Sequence, residues 1–513
     1  MAPGCRFGYD IIEYVGTAVW LKSRTVLEIQ SDLANQNIFI CERHIANLAK
    51  KYVWYVVEAI ADKQPELRQF LHRGGGYFMY FDSMHPGNGA AHMMCAIAEE
   101  ISERISIVLG CVKLAQESTE TVSAFLRKLK EKYGNPLAGV CDMLASNLEA
   151  FKEVFPEALL LICHFHFLRG LGKSFLDYEN TLLTGLLDRY DVTSRLREIA
   201  KKCREIIDNN PKLAKLLNHD KKLQSESLQK LPEVVKAYYM IMWIFAYKQE
   251  LNGYGFPFDR ANLAYIQRMQ NIFNTLKDEP VECNELSELK YFLASYLMDP
   301  DFQKTVTAFE KKVKDFDHLR EIMKIAPIGG GKGLNDDGVD CDMTIMEKEL
   351  KAFIELDKIT KNPNKSYKQL IKQILKYWPM LFAKPVKVVR PNGETIFIYP
   401  QRTSNCMERF FRGFQQNERK RTGMDTLGRT VMAMIAETPM MKNLKCPEFV
   451  KIILNGQPNL ASRFAELDIK RAGEKAKAWE HEEALPPGVK RIIKDLHFYK
   501  VFMKKRGKVK KCA

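Results

Sequence analysis

The sequence predicts an α/β fold in which a sheet-forming region is interrupted by a long helical insertion. Three observations lead to this prediction. Apolar strand-like runs alternate with helix-period segments between residues 77 and 162. From about 176 to 383 the apolar residues recur almost only at helical spacing, and sheet character returns at residue 386.

The stretch from Gly139 to Lys173 organises the chain. A short apolar run ends in Asp142, and Ser146 with Glu149 has the Ser-x-x-Glu pattern of a capping box, which predicts a helix start. A second apolar run, Leu159 to Ile162, is followed by Cys163 and His166. Polar groups at the carboxyl ends of strands are typical of ligand sites in open α/β sheets.

The elements before this stretch extend the same sheet. An aromatic strand, Tyr77 to Phe81, ends in Asp82, two further strands follow at 92–97 and 105–111, and a helix is expected at 118–133. Three strands, helix, strand, helix, strand is the layout of an RNase H-like fold, in which the first and fourth strands are neighbours. Asp82 and Asp142 are therefore expected to share a metal site.

Two short helices are predicted near the N-terminus, at 23–34 and from about Cys41. Val26, Leu27, Ile29 and Leu33 would form the apolar side of the first, and Ile45, Leu48 and Tyr52 that of the second. The tight connection fits a helix-turn-helix, with Glu42, Arg43 and Lys50 as candidate DNA-reading residues, or equally a plain helical hairpin. The abrupt start, MAPGCRFGYD, is consistent with a missing upstream module.

The insertion offers two loops with incomplete ligand-binding patterns. Residues 328–333 resemble a phosphate loop, but Lys332 is followed by Gly rather than Ser or Thr. Residues 335–338 lack the Glu that a calcium loop requires. Both are interpreted as surface loops.

After the insertion, strands at 386–389 and 395–399 flank a Pro-Asn-Gly turn, a strong hairpin signal. A helix then begins near residue 403, with Met407, Phe410, Phe411 and Phe414 as its apolar stripe. Glu408, Arg412, Gln415 and Arg419 form the neighbouring polar stripe. This is either a surface helix with a Glu408–Arg412 pair or the helix that supplies the third acid of an RNase H-like nuclease, its arginines holding DNA phosphates.

Together these motifs resemble the DDE transposases of bacterial and archaeal insertion sequences, closest to the Mutator-like branch. The resemblance rests on FDSMHPG, GVCDMLASN, VFPEALLLICHFH and TSNCMERFFR, within residues 77–173 and 386–423. It implies an RNase H-like catalytic core interrupted by a helical insertion, with the pattern Asp82, Asp142, Cys163-x-x-His166 and Glu408. Asp82 and Asp142 are 60 residues apart and Asp142 and Glu408 are 266 apart, which leaves room for the insertion.

The expected chemistry is phosphoryl transfer on DNA with two Mg²⁺ ions, which Mn²⁺ can replace, held by Asp82, Asp142 and Glu408. Arg412, Arg419, Lys420 and Arg421 are the candidate phosphate contacts. The resemblance implies that Cys163 and His166 shape this site or contact DNA. A zinc site, or a buried Cys with a hydrogen-bonded His, are the alternatives. His85 either approaches Asp82 or stabilises its turn.

Composition sets limits on these predictions. No apolar run approaches a membrane span, no signal peptide is visible, and the twelve Cys include no Cys-x-x-Cys pair, so a reducing compartment is expected. The net charge of +15 is concentrated in residues 384–430 (+6) and 489–513 (+9), as a polyanion partner would favour. The basic tail, KKRGKVKK at 504–511, would add DNA affinity or serve as a targeting signal.

The sequence therefore predicts a transposase that cuts at terminal inverted repeats, joins the ends to target DNA, works as a homodimer or larger assembly, and lies in a prokaryotic cytoplasm with the nucleoid. A repurposed DNA-binding protein without cutting activity and an RNase H-like nuclease or resolvase are the alternatives. The predicted regions are a helix-turn-helix (1–65), the first part of the core (66–175), the all-α insertion (176–383), the last part of the core (384–425), and a helical C-terminal region with its tail (426–513).

Overall fold

The computed structural model describes residues 5–87, 91–217, 230–328, 343–390, 392–424 and 427–467. These residues form two compact units. The first lies within 1–160, 387–397 and 404–513, and the second within 161–386 and 398–403. The glycine-rich loop beyond Ile328, the loop at 335–338 and the basic tail lie outside the described residues. The predicted domain boundaries stay predictions.

Helices open the first unit: α1 (Tyr9–Gly16), a π-helical turn (Thr17–Leu21), α2 (Val26–Ala34), α3 (Glu42–Asp62) and α4 (Gln64–His72). The predicted pair corresponds to α2 and α3. However, α2 begins at Val26 rather than Ser23, because Ser23 has a φ of 54° and Thr25 forms a capping box with Glu28. Leu27, expected on the apolar side, is 62% exposed. Whether this pair binds DNA stays a prediction.

A five-stranded mixed sheet is the centre of the first unit, with strand order β3-β2-β1-β4-β5. Its strands are β1 (Tyr77–Met84), β2 (His92–Glu100), β3 (Ile105–Leu114), β4 (Ala138–Cys141) and β5 (Leu159–Ile162). β1 and β2 pair antiparallel, as do β2 and β3, whereas β1 and β4 pair parallel. This confirms the prediction that the first and fourth strands are neighbours. The chain enters the second unit within β5.

Two helices, α5 (Thr119–Tyr133) and α6 (Ala145–Val154), cover one face of this sheet. The ring of Phe151 on α6 stacks on Phe81 of β1, with the ring centroids 5.7 Å apart. A Cβ at Gly139 would lie only 2.2 Å from that ring, so glycine is needed there for α6 to pack. Successive side chains of a strand point to opposite faces, so strand residues an even number of positions from Phe81 or Gly139 have the same parity and face these helices.

The second unit is helical, as predicted for the insertion. Its helices are α7 (His164–Arg189), α8 (Val192–Asp208), α9 (Pro211–Leu217), α10 (Glu233–Phe245), α11 (Ala261–Leu276), α12 (Asn284–Leu297), α13 (Pro300–Met323), α14 (Met343–Glu355), α15 (Asp357–Thr360) and α16 (Lys365–Tyr377), with 3₁₀ turns at Ala246–Glu250 and Trp378–Met380. Lys312 and Glu179 form a buried ion pair (2.7 Å) that ties α13 to α7. None of the helices in the described part of the chain is both long and apolar enough to cross a membrane.

The predicted hairpin is present as β6 (Val386–Val389) and β7 (Thr395–Ile398), which form a separate two-stranded sheet. At its turn, the amide of Arg390 donates to the carbonyl of Glu394 (2.9 Å). The remaining helices of the first unit are α17 (Asn405–Thr422), α18 (Gly428–Ala433), a 3₁₀ segment (Thr438–Lys445), α19 (Pro447–Leu454) and α20 (Leu460–Glu466). The helical prediction for this C-terminal segment is confirmed.

Candidate functional site

Continued two residues past its last pair, the β1–β4 register predicts that Asp82 and Asp142 lie side by side. In the parallel pairing of β1 with β4, Phe78 lies opposite Ala138 and Tyr80 opposite Val140. Two more residues along each strand bring the register to Asp82 and Asp142, and neighbouring strands are about 4.8 Å apart. Both side chains have the parity of Tyr80 and Val140, so they belong to the face opposite α5 and α6.

The carboxylate of Asp142 is held by the residues that follow it. Its Oδ1 accepts a hydrogen bond from Nδ2 of Asn147 (2.9 Å) and one from the amide of Leu144 (3.2 Å). Because the Asn147 side chain is buried, water does not compete for this contact. Among the described residues both bonds end on Oδ1, which leaves Oδ2 of Asp142 for a ligand.

The predicted capping box at this point is wrong. Leu144 occupies the N-cap position of α6 and no side chain caps this end of the helix. Ser146 lies inside the first turn, and Glu149 accepts a hydrogen bond from the hydroxyl of Thr119 (2.9 Å) on α5. The Ser-x-x-Glu pattern therefore marks the helix start to within two residues, but not its capping.

Asp82 lies within β1 rather than at its end. Ser83 and Met84 continue the antiparallel pairing with Met94 and Met93 of β2, so the strand is two residues longer than predicted. The Oδ1 atom of Asp82 accepts the amide of Ser83 (2.8 Å). Asp82 is half-buried. It thus lies on the rigid sheet, where its position depends on the ladder rather than on a loop.

The helix α17, which carries Glu408, packs against β1. Near the middle of α17, Nε2 of Gln415 lies 3.4 Å from the sulfur of Met84. Met84 has the strand parity of Asp82, so α17 lies on the face of the sheet that carries the two aspartates. Glu408 lies two helical turns before Gln415 on the same stripe and is half-buried.

The three predicted acids do not form a finished metal site in this conformation. Within the described ranges, no three or more His, Cys, Asp and Glu side chains are grouped closely enough to hold an ion. The described residues thus show the Glu408 helix packed against β1 and no closed set of three carboxylates, and the shared site of Asp82, Asp142 and Glu408 stays a prediction.

The apolar stripe of α17 is confirmed for Met407, Phe410 and Phe411, which are buried, whereas Phe414 is half-buried. On the other side, Arg412, Gln415, Arg419 and Lys420 are exposed. Arg421 differs, because its guanidinium pairs with buried Glu418 and lies 5.0 Å from the centroid of the Trp20 ring. Arg412, Arg419 and Lys420 thus lie at the surface, while Arg421 is half-buried and pairs with Glu418 within the fold.

Cys163 and His166 belong to the second unit. Cys163 is fully buried at the N-cap of α7, and His166 is half-buried in the first turn of that helix. The chain therefore turns helical directly after β5. Their role as site-shaping or DNA-contacting residues stays a prediction.

The histidine between them, His164, was not singled out by the sequence. It is buried, its Nε2 lies 2.7 Å from the carbonyl of Leu381, and its Nδ1 lies 3.2 Å from a guanidinium nitrogen of Arg402. Because Arg402 can only donate, the ring is neutral with its proton on Nε2. Burial and the charge of Arg402 lower the pKa of His164 to about 3. His164 is a structural histidine.

No family model and no curated protein sequence matches this chain. A similar solved structure is the strand transfer complex of the Drosophila P element transposase. It is 12% identical, with a TM-score of 0.36, and the match covers 89% of this chain and 94% of that chain.

Two features of the site were missed by sequence reasoning. Asn147, which orients Asp142, falls inside the quoted motif GVCDMLASN but has no motif role of its own. The ring of His85 lies against that of His92, with the centroids 4.3 Å apart and the ring planes tilted by 38°. Whether His85 also approaches Asp82 stays a prediction. His92 in turn pairs with Glu117, just before α5, and only the register of β1 with β2 could have indicated this.

Proposed function

We propose that this protein is a DNA transposase that cleaves DNA strands and joins the freed ends to target DNA by phosphoryl transfer. The observation that supports the proposal most is the β1–β4 register, whose continuation by two residues would bring Asp82 level with Asp142 on the face against which α17 packs. Two carboxylates at adjacent strand positions, with a third on a nearby helix, suit reactions on phosphodiesters. The Mutator-like assignment rests on the sequence pattern alone.

Asp82 and Asp142 would hold Mg²⁺, and Glu408 would complete the ligand set when DNA and metal bind. The donor atoms fit such an ion, because all are carboxylate oxygens and the two hydrogen bonds that hold Asp142 end on Oδ1 rather than Oδ2. When bound, two such ions supply activation of the attacking oxygen and stabilisation of the leaving oxygen. Mn²⁺ would substitute for Mg²⁺.

The DNA would be held beside the acids by the exposed cations of α17. Arg412 and Arg419 lie on the stripe of Glu408, so they would contact the phosphates that flank the scissile one. Lys420 would add to this charge. Terminal inverted repeats and target DNA are the proposed substrates, and pairing of two ends would require a dimer or larger assembly.

A cleavage and strand-transfer assay tests this proposal. The substrate is DNA that carries the repeats flanking the coding region, incubated with Mg²⁺. Asp82→Asn, Asp142→Asn and Glu408→Gln are each expected to reduce cleavage ~100-fold or more, because each removes charge that the reaction requires. Glu120→Gln is the matched control, since Glu120 is an exposed acid in the first turn of α5.

The outcomes separate the alternatives. Full activity in any of the three acid variants contradicts the site. Binding without cleavage by the wild-type protein favours a repurposed DNA-binding protein. Cleavage of branched DNA without joining favours a resolvase.

A further inference from the structure

A polar cluster lies at the edge of the sheet beside the acids, formed by Ser83, His85, His92 and Glu117. Nδ1 of His92 lies 2.9 Å from Oε1 of Glu117. The hydroxyl of Ser83 donates to the same oxygen. The rings of His85 and His92 are in contact, with their centroids 4.3 Å apart. We call this group the His92 cluster.

Its position follows from the ladder. The last registered pair of β1 and β2 is Met84 with Met93, so the next pair is His85 with His92. Ser83 and His85 alternate with Asp82 and Met84, which places the cluster on the other face of the sheet from Asp82. His85 is three residues, or about 10 Å, farther along the strand direction. The His92 cluster thus flanks the acid pair without being part of it.

This separation corresponds to the spacing of a DNA backbone. One strand of duplex DNA carries a phosphate about every 3.4 Å along the helix axis. A strand whose scissile phosphate lies at Asp82 and Asp142, and which runs past the end of β1, would therefore place a phosphate about three nucleotides away near His92.

The hydrogen bonds prepare His92 for an anion. Glu117, whose side chain is 10% exposed, accepts the Nδ1 proton and fixes the ring plane. In the part of the chain that the structure describes, every hydrogen bond of the His92 ring involves Nδ1, and 28% of the side chain is exposed. With both nitrogens protonated, the ring would donate to Glu117 on one side and to a phosphate on the other.

We propose that His92, oriented by Glu117 and backed by the exposed ring of His85, is a positioning residue that binds a DNA phosphate about three nucleotides from the scissile one. The inference rests on the proposed function, which supplies DNA as the ligand. The alternative is a purely structural pair that ties β2 to the connection between β3 and α5.

The salt dependence of DNA binding separates the two. We would measure the dissociation constant of a fluorescent duplex carrying the repeat by anisotropy over a series of salt concentrations, without Mg²⁺. His92→Gln should weaken binding several-fold at low salt and reduce the slope of log K against log salt by about 0.9, the contribution of one phosphate. Glu117→Gln, which removes the anchor of the ring, should move the slope in the same direction by less.

His318→Gln is the matched control, because His318 is also exposed and packs on an aromatic ring, Phe353, in the other unit. An unchanged slope in His92→Gln, with or without a lower melting temperature, would overturn the inference. The proposed function is judged separately, by Mg²⁺-dependent cleavage with the wild-type protein. If the wild-type protein does not cut DNA but His92→Gln still changes the slope, the proposed function is rejected and the phosphate contact of His92 is supported.

Discussion

Removal of the Asn147 amide tests whether the orientation of Asp142 matters for catalysis. The bond from Asn147 to Oδ1 is 2.9 Å long and ends on an ionisable acceptor. A hydrogen bond to a charged group contributes about 1.5–3 kcal/mol. The upper part of this range applies, because Asn147 is only 1% exposed and no bulk water replaces its amide. At 1.4 kcal/mol per factor of ten, Asn147→Ala should lower the cleavage rate roughly 40- to 140-fold.

The assay is cleavage of the repeat DNA over a Mg²⁺ titration. If Asn147 acts through Asp142, the half-saturating Mg²⁺ concentration rises, which a general loss of folded protein would not produce. Asn147→Asp keeps the side-chain size but replaces the donor with a second carboxylate, so it should lose at least as much activity. Ser146→Ala is the control, because that hydroxyl makes no hydrogen bond among the described residues. Rates for Asn147→Ala within twofold of wild type at every Mg²⁺ concentration would refute the reasoning.

Two further predictions concern charge. The pKa of His164 is lowered to about 3 from 6.5, so the unfolded state binds more protons below pH 6.5. The free energy of unfolding should then fall by about 1.4 kcal/mol per pH unit from pH 6.5 towards 3, and less steeply in His164→Gln, as urea unfolding at pH 7 and 5 would show. Arg412→Gln and Arg419→Gln should each reduce the salt slope of DNA binding by about one, whereas Arg204→Gln, at an exposed pair in α8, should not.

The sheet was predictable because each strand is a short apolar run bounded by polar residues. β5 and β6 have the predicted bounds, and the first and fourth strands are neighbours as predicted. β1, β2 and β3 are each longer than predicted, and β1 continues through Asp82 and Ser83. Polar residues there end the hydrophobic pattern but not the pairing, because backbone hydrogen bonds to β2 do not depend on side-chain polarity. The hydrophobic pattern alone therefore predicts too short a strand where the strand leads into a polar site.

Helices were predictable to within a few residues, but their caps and exposed sides were not. Leu27 fits the apolar period of α2 and is nevertheless exposed, because the period fixes which side chains share a face and not what covers that face. Likewise, Ser146 and Glu149 have capping-box spacing, yet Glu149 is paired with Thr119. Local spacing is necessary for a cap, whereas the tertiary neighbours decide whether it forms.

Contacts between distant segments explain most of what the sequence could not show. Arg402 and His164 are 238 residues apart, and no periodicity relates them. His164 falls within the most distinctive motif, Cys163-x-x-His166, but its contacts are structural. A family pattern therefore identifies a neighbourhood of the chain and does not by itself sort the residues that hold the fold from those that act on a substrate.

The same reasoning explains why the sequence does not determine the positions of the three predicted acids equally well. The 60-residue spacing of Asp82 and Asp142 equals the offset of the β1–β4 register, so the pairing of the two strands, which ends at Tyr80 and Val140, brings the chain to within two residues of both. Glu408 has no such constraint. Its position depends on how α17 lies against β1, where Gln415 meets Met84 two turns away. A small rotation of α17 about that contact would therefore move Glu408 relative to the aspartates, which the register does not prevent.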